Sequence, residues 1–265
     1  MNVALLTNYN IVHKRTTALK VLDVLAKHDC LVRIPAIYSD LLTDKIKTQN
    51  VSFLPFDTLY DAVDMAIVLG GDGTILDVSH YASRANVPVL GINMGHVGYM
   101  AELEPNEMNL LDDVLSGNYH IVEHDMLLAE ILNDNGSVVN SSIALNDVTV
   151  GNGGVTRLID LELRKNNDKL ATIRADGVVI STPTGSTAYS LAAGGPVIDP
   201  DVPCFCVTPI CPQIPTLKPV VFSSNTVISI HNICYREKHL IVTTDGKNLM
   251  TFFTPKVLMR AASMK

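Results

Sequence analysis

Residues 66–76 read AIVLGGDGTIL. The apolar run Ala66–Leu69 meets Gly70-Gly71, an acid, another glycine and Thr74, and continues into TILDVSHYASR, which is helix-like. A strand with no polar alternation is buried on both faces. One that feeds a helix through a tight turn is half of a parallel β–α unit. The rhythm extends outward from this stretch. Val3–Leu6 is a short apolar strand, residues 16–27 carry Leu19, Leu22 and Leu25 at helical spacing, Leu31–Ile34 is a further strand, and VPVLGIN (87–93) is another. Strand, helix, strand, helix predicts an α/β N-terminal domain, a parallel sheet with covering helices.

The pattern changes after about residue 102. PNEMNLLDDVLSGN (105–118) reads as one helix followed by a Gly-Asn turn. Residues 119–132, 137–150, 155–164 and 170–181 then alternate apolar and polar side chains. Asp134-Asn135-Gly136 and Asn166-Asn167-Asp168 between them are good hairpin turns. Short strands continue from 219 to 258. This predicts an antiparallel β-rich, sandwich-like C-terminal domain. The expected division is 1–110 for the α/β domain carrying GGDGT, 111–250 for the β-rich domain, and 251–265 for a segment returning to the first domain.

Composition bounds the function. A chain of 265 residues can bury a substantial core. Hydrophobic residues make up 47%, charged residues 18%, and mean hydropathy is +0.24, which argues for a globular protein. The net charge of -7 and the absence of a Lys/Arg run exclude the usual footprint of a nucleic-acid binder. MNVALLTNYN is too short for a signal peptide, and no segment reaches the ~18 apolar residues of a membrane span. With an odd count of five Cys, this predicts a cytoplasmic enzyme or binding protein with reduced thiols. CFCVTPIC (204–211) lacks zinc-ligand spacing, and Cys204 and Cys206 alternate with Phe205 and Val207. Buried strand thiols are expected there.

Four stretches carry chemistry. In the first, Gly70 and Gly71 allow a sharp turn and a close approach to a ligand, and the helix start offers N–H groups to an anion. It is not a Walker A loop, having no Lys, nor a dinucleotide fingerprint, since Leu76 stands where a third Gly belongs. The plain alternative is a turn with Asp72 or Thr74 as helix cap. The second is DGVVISTPTGSTAYSLAAGGP (176–196), with Ser181, Thr182, Thr184, Ser186 and Thr187 around one Pro-Thr-Gly turn before a short helix, AYSLAA. These hydroxyls serve either as caps or as a nucleotide site, and Tyr189 either as a core ring or as a stacking face. In the third, ALNDVTV (144–150), Asn146 and Asp147 interrupt an apolar strand and need hydrogen-bond partners, from the protein or from a ligand's base and ribose. The fourth, Arg174-Ala175-Asp176, is either a surface ion pair or a sugar-and-phosphate clamp.

Taken together, the chain resembles the NAD kinases. GGDGT alone is shared with lipid kinases and, in a variant form, with phosphofructokinases. The combination is narrower: LGGDGTIL, GINMGHVGYMAEL (91–103), LNDV, RADGVVISTPTGSTAYSLAAGGPVIDP, TPICP (208–212) and TTDGK (243–247), in the family's order, from about residue 60 to 247. The resemblance implies that Asp72 acts on the 2′-hydroxyl of the adenosine ribose of NAD and that Gly73 lies against the same nucleotide. It implies that Asn146 and Asp147 bond adenine or ribose groups, and that Arg174 and Asp176 contact the dinucleotide. Thr187, Ala188, Tyr189, Ser190 and Ala192 would form the adenine wall, within an NAD-binding domain 111–250. Gly70, Gly71, Gly73 and Thr74 would form the loop for the phosphates of ATP, with a divalent cation, Mg2+, accompanying the donor. Homodimers or homotetramers are the implied assembly. An alcohol is a poor nucleophile, but phosphoryl transfer passes through a loose transition state and demands little base strength. The acid's expected task is to hold the hydroxyl in line and take its proton late. The chain departs from the family in Asp147, where many members have Glu, and in Lys247, where Gln is commoner. Its end, VLMRAASMK, reads as truncated beside members that continue in a helical segment. The alternatives are a GGDGT-type lipid kinase and a non-catalytic NAD-binding sensor.

Overall fold

The computed structural model describes residues 1–47, 49–95, 99–152, 158–214, 217–234, 240–252 and 256–262. The chain divides into two compact units, Met1–Val122 and Glu123–Lys265.

The first unit runs β1 (Asn2–Thr7), α1 (Val12–Lys27), β2 (Leu31–Pro35), α2 (Ser39–Leu42), β3 (Val51–Leu54), β4 (Met65–Gly70), α3 (Asp72–Ala85), β5 (Val89–Asn93) and α4 (Asn109–Leu115). Its five strands form one parallel sheet in the order β3-β2-β1-β4-β5. The unbroken apolar strands follow from helices on both faces. Val3, Leu5, Ile67 and Leu69 pack with Ala18, Val21, Leu22 and Leu25 of α1 and Leu111 of α4, while Ala4, Leu6, Ala66 and Val68 pack with Ile75, Val78 and Ala82 of α3. α3 ends at Asn86 in the left-handed conformation (φ 54), a C-terminal cap that Asn tolerates. Strand order reverses between β1 and β4, so their C-terminal ends flank a topological switch point, where open α/β sheets bind ligands. The Thr7 hydroxyl donates to the Leu69 carbonyl (2.7 Å) and ties those ends together. β3 escapes the sequence reading because VSFL is a four-residue edge strand that is only partly buried and carries no apolar run.

The second unit holds β6 (Met126–Leu132), β7 (Val138–Ala144), β8 (Asp147–Asn152), β9 (Ile159–Lys165), β10 (Asp168–Ala175), β11 (Gly177–Ser181), α5 (Tyr189–Ala192), β12 (Cys204–Ile210), β13 (Val220–Ser223), β14 (Ile228–Asn232), β15 (Leu240–Thr244), β16 (Lys247–Phe252) and β17 (Lys256–Ala262). Two six-stranded antiparallel sheets form, β10-β9-β14-β17-β6-β7 and β13-β12-β11-β8-β15-β16. One core unites their inner faces. Leu161, Ile230, Val257 and Ala129 come from the first sheet, and Phe205, Val178, Val150 and Val242 from the second. Both expected hairpin turns are present, with Gly136, Asn166 and Asn167 at positive φ. All five cysteines are free thiols, and Cys204 and Cys206 are buried in β12.

Two expectations change, and one falls partly outside the described residues. The stretch 119–125 forms no strand and is exposed throughout, because nothing pairs with it before β6 begins at Met126. Residues 153–157, within the expected strand 155–164, and residues 263–265 of the tail lie outside the described residues. Within the expected segment 251–265, Lys256–Ala262 pairs with β14 on one side and β6 on the other, an interior strand of the first sandwich sheet rather than a cover for the first unit. Its alternation is the reason, since Val257 and Met259 bury while Arg260 faces out.

Candidate functional site

The GGDGT loop sits at the C-terminal end of β4, beside the switch point. Gly71 is the helix cap with extended backbone (φ -96, ψ -177) and no side-chain bond, so neither Asp72 nor Thr74 caps the helix. Asp72 instead opens α3 as its first residue. The sharp turn needs no left-handed residue, because Gly70, Gly71 and Gly73 all lie outside the positive-φ set. Gly70 is small for another reason: a Cβ there would stand 2.5 Å from the Thr74 side chain. Among the described residues outside α3, nothing stands within 4 Å of where a Cβ at Gly71 or Gly73 would be, so their backbone is available to an approaching group.

Asp72 is held by backbone. Its Oδ2 accepts from the Tyr99 N–H (3.1 Å) and its Oδ1 from the Met100 N–H (3.2 Å). The segment that supplies these donors is itself anchored. Met94 N–H donates to the Gly70 carbonyl (2.9 Å), the Asn93 side chain bridges the Gly95 N–H (3.0 Å) and the Glu104 carboxylate (2.9 Å), and Glu102 accepts from the Gly91 N–H (2.7 Å). Burial pushes the Glu102 carboxyl up from its ordinary value. Residues 96–98 of the GINMGHVGYMAEL motif lie outside the described residues.

In the second unit, the chain passes from β7 in one sheet to β8 in the other through Leu145 and Asn146 alone. Such a corner has no ladder partners of its own, so its backbone groups must be satisfied by side chains and loops. The donors converge on Asp245 in the β15–β16 turn. Leu145 N–H reaches one oxygen (2.8 Å), and Asn146 N–H (2.8 Å) and Asp147 N–H (3.1 Å) reach the other. The acceptors go to Thr182, whose N–H meets the Asn146 carbonyl (2.9 Å) and whose hydroxyl meets the Leu145 carbonyl (2.5 Å). The Thr182 hydroxyl also takes the Gly185 N–H (3.0 Å), and a Cβ at Gly185 would overlap the Asn146 carbonyl. The LND corner and the TPTGST turn are therefore packed backbone against backbone.

With the corner's backbone satisfied internally, its side chains are left over. Asp147 is 6% exposed, yet among the described residues its carboxylate receives one long bond, from the Thr149 hydroxyl (3.4 Å). Burial first, and the Asp245 carboxylate second, push its pKa up to about 6. A buried carboxylate poorly matched by protein donors is a mark of a functional site.

The hydroxyls of the second stretch divide. Ser186 accepts from the Ile198 N–H (3.0 Å), and Ser190, fully buried, bonds the Thr208 hydroxyl (3.1 Å), so both fasten the turn to the sandwich. Thr187 and Ala188 are half-buried, while Tyr189, at 47% exposure, and Ala192 face out. The Tyr189 ring is thus no core ring and offers a free face. Arg174, at the end of β10, pairs with Asp160 (3.8 Å) on the neighbouring strand rather than with Asp176. Asp176 lies half-buried between β10 and β11, its N–H on the Ile210 carbonyl (3.0 Å).

Sequence reasoning missed the Tyr99 and Met100 donors, which are backbone groups and leave no residue signature. It also missed Asp245 and Thr182 as the holders of the corner, and His124, whose Nδ1 lies 3.0 Å from the Thr184 hydroxyl. Among the described residues no three His, Cys, Asp or Glu side chains gather as a metal cage.

A switch-point GGDGT loop on one unit and a hydroxyl-rich turn beside a buried acid on a β-sandwich define a two-part nucleotide-binding protein. Comparison with known proteins names the family. Residues 4–119 match the N-terminal domain of ATP-NAD kinases and residues 145–262 match their C-terminal domain. The NAD kinase of Natranaerobius thermophilus is 36% identical over 229 residues, 86% of this chain and 78% of that protein. The chain belongs to the NAD kinase family. It spans about two thirds of the length of several other curated relatives it matches, 64% for the NAD kinase of Geobacter sulfurreducens, at 38% identity over 69% of this chain. Among solved structures, yeast NADH kinase complexed with NADH shares the fold, with a TM-score of 0.90 at 23% identity, over 99% of this chain and 80% of that one. An NAD kinase from Archaeoglobus fulgidus in complex with ATP aligns over 100% of this chain and 91% of its own, with a TM-score of 0.76 at 25% identity.

Proposed function

We propose that the protein phosphorylates the 2′-hydroxyl of the adenosine ribose of NAD to give NADP, with ATP as donor. The observation that carries this is Asp72, an acid at the first position of α3 with both oxygens held by backbone N–H groups beside two open glycines. A phosphate loop needs no carboxylate, whereas an alcohol acceptor does. Each oxygen keeps a lone pair, so Asp72 orients the hydroxyl and receives its proton late in a loose transition state. The helix start and the open backbone of Gly71, Gly73 and Thr74 serve the donor's phosphates, with Gly70 seating Thr74. In the second unit, Asn146 and Asp147 bond the acceptor's adenosine, with Tyr189, Thr187, Ala188 and Ala192 as the wall and Ser190 as its internal fastening. Arg174 and Asp176 contact the rest of the dinucleotide.

Mg2+ is read here as a cation that arrives with the donor's phosphates. Mg2+ keeps its waters and takes one or two carboxylates plus phosphate oxygens, and it would supply neutralisation of the phosphate charge. Five free thiols fit a reducing cytoplasm. No described helix is long and apolar enough to cross a membrane. The expected assembly is a homodimer or homotetramer, measured by sedimentation.

The test is NADP formation from NAD and ATP in a coupled assay, on wild type and Asp72→Asn. The variant should lose at least about 10³-fold in kcat and still bind NAD. Full activity in the variant removes Asp72 from the mechanism. NAD binding without turnover in the wild type makes the protein a sensor.

A further inference from the structure

We propose that Asp245 is a positioning residue that clamps the Leu145–Asp147 corner in the shape that takes the acceptor's adenosine. The proposal rests on the reading of that corner as the NAD site. Its support is geometric. Three consecutive N–H groups aim at one carboxylate, and the Asp245 N–H returns a bond to the Asp147 carbonyl (2.9 Å). Consecutive backbone donors converging on an anion form a nest, and such bonds are charge-assisted. No neutral side chain offers two equivalent acceptors for three donors. Asp245 can reach them because it sits in the left-handed conformation (φ 50), with Gly246 after it also at positive φ. Asn is the substitute that tolerates such backbone, so Asp245→Asn keeps the turn while removing the charge and one acceptor.

The clamp has an electrostatic side. The charged group acting on Asp147 is Asp245, Thr149 donates to it from its own strand, and Ser181 stands opposite it in register on β11. The Asp245 carboxylate therefore both fixes the corner and disfavours a second negative charge beside it. Asp147 would accept ribose or adenine donors best as the anion, so the two acids set the pH at which the acceptor binds.

The experiment compares wild type with Asp245→Asn. Without nucleotide, hydrogen exchange at the Leu145, Asn146 and Asp147 amides should quicken at least about tenfold at pH 7. The Asp147 carboxyl, followed by NMR, should titrate lower by about half a unit to one unit. With nucleotide, the KM for NAD should rise about tenfold while kcat stays within about threefold, and the acid limb of kcat/KM should move down with Asp147. Unchanged amide exchange, an unmoved Asp147 titration or an unmoved KM each overturns the proposal. Should the variant not fold, the wild-type amides decide: the Leu145, Asn146 and Asp147 N–H groups should be protected from exchange at pH 7 without nucleotide, and exchange at the rate of exposed loop amides overturns the clamp. The exchange and titration readouts need no ligand, so a wild type that does not bind NAD refutes the functional reading separately.

Discussion

Asp147 shows how a single buried acid can be costly to the fold at neutral pH. Its carboxyl titrates near about 6 in the folded chain against an ordinary 3.8, because burial and the Asp245 charge disfavour the anion. The folded state therefore binds this proton more tightly than the unfolded one. The associated stability is complete below about pH 4 and is lost as pH rises through about 6. Asp147→Asn has no charge to desolvate. It should match wild type in urea denaturation at pH 4, provided the rest of the fold survives there, and exceed it by about 1–3 kcal/mol at pH 7. The same variant should bind NAD more weakly. Lower stability than wild type at pH 7 would show that Asp147 is held by donors other than Thr149. The sequence marks Asp147 as out of place in an apolar strand, but its burial and its acidic neighbour, about a hundred residues away, belong to tertiary structure.

Among the elements, two glycines of similar appearance have different tasks. Gly185 in the TPTGST turn lies against the Asn146 carbonyl, so the turn and the corner approach only if that position lacks a Cβ. Gly185→Ala should lower stability by about 2 kcal/mol or more, read as a shift in denaturation midpoint, and should weaken NAD binding with it. A Cβ at Gly73, inside the first turn of α3, would meet nothing within 4 Å among the described residues beyond its own helix. Gly73→Ala should leave stability equal or raise it by up to about 1 kcal/mol, because Ala favours the helix, and should reduce turnover by crowding the donor. If both variants lose stability equally, the open space over the helix start is refuted. Both glycines stood out in the sequence. Which one packs and which one leaves room depends on what lies opposite, and a motif does not state that.

At the scale of the whole molecule, the two units are built on different plans, a parallel sheet with helices on both faces and a two-sheet sandwich. Removing residues 256–265 would take β17 out from between β14 and β6 and leave two unpaired interior edges. The shortened chain should lose the cooperative unfolding of its second unit while the first keeps its own, seen as early protease cleavage confined to residues beyond 122. Survival of a protected second unit would show that the sheet can close without this strand. The sequence by itself determined the strand–helix alternation around GGDGT, the change from parallel to antiparallel structure, the burial of Cys204 and Cys206 as strand thiols, and the GGDGT and TPTGSTAY segments. These are local patterns of period, turn chemistry and spacing. Tertiary structure alone decided that β17 is an interior strand, that Arg174 pairs with Asp160, that backbone N–H groups hold Asp72, and that Asp245 gathers the donors of a corner it follows by 98 to 100 residues. The physical reason is the same in each case. A buried backbone group or charge takes its partner from whatever the fold brings within about 3 Å, and that neighbour is set by the packing of distant segments.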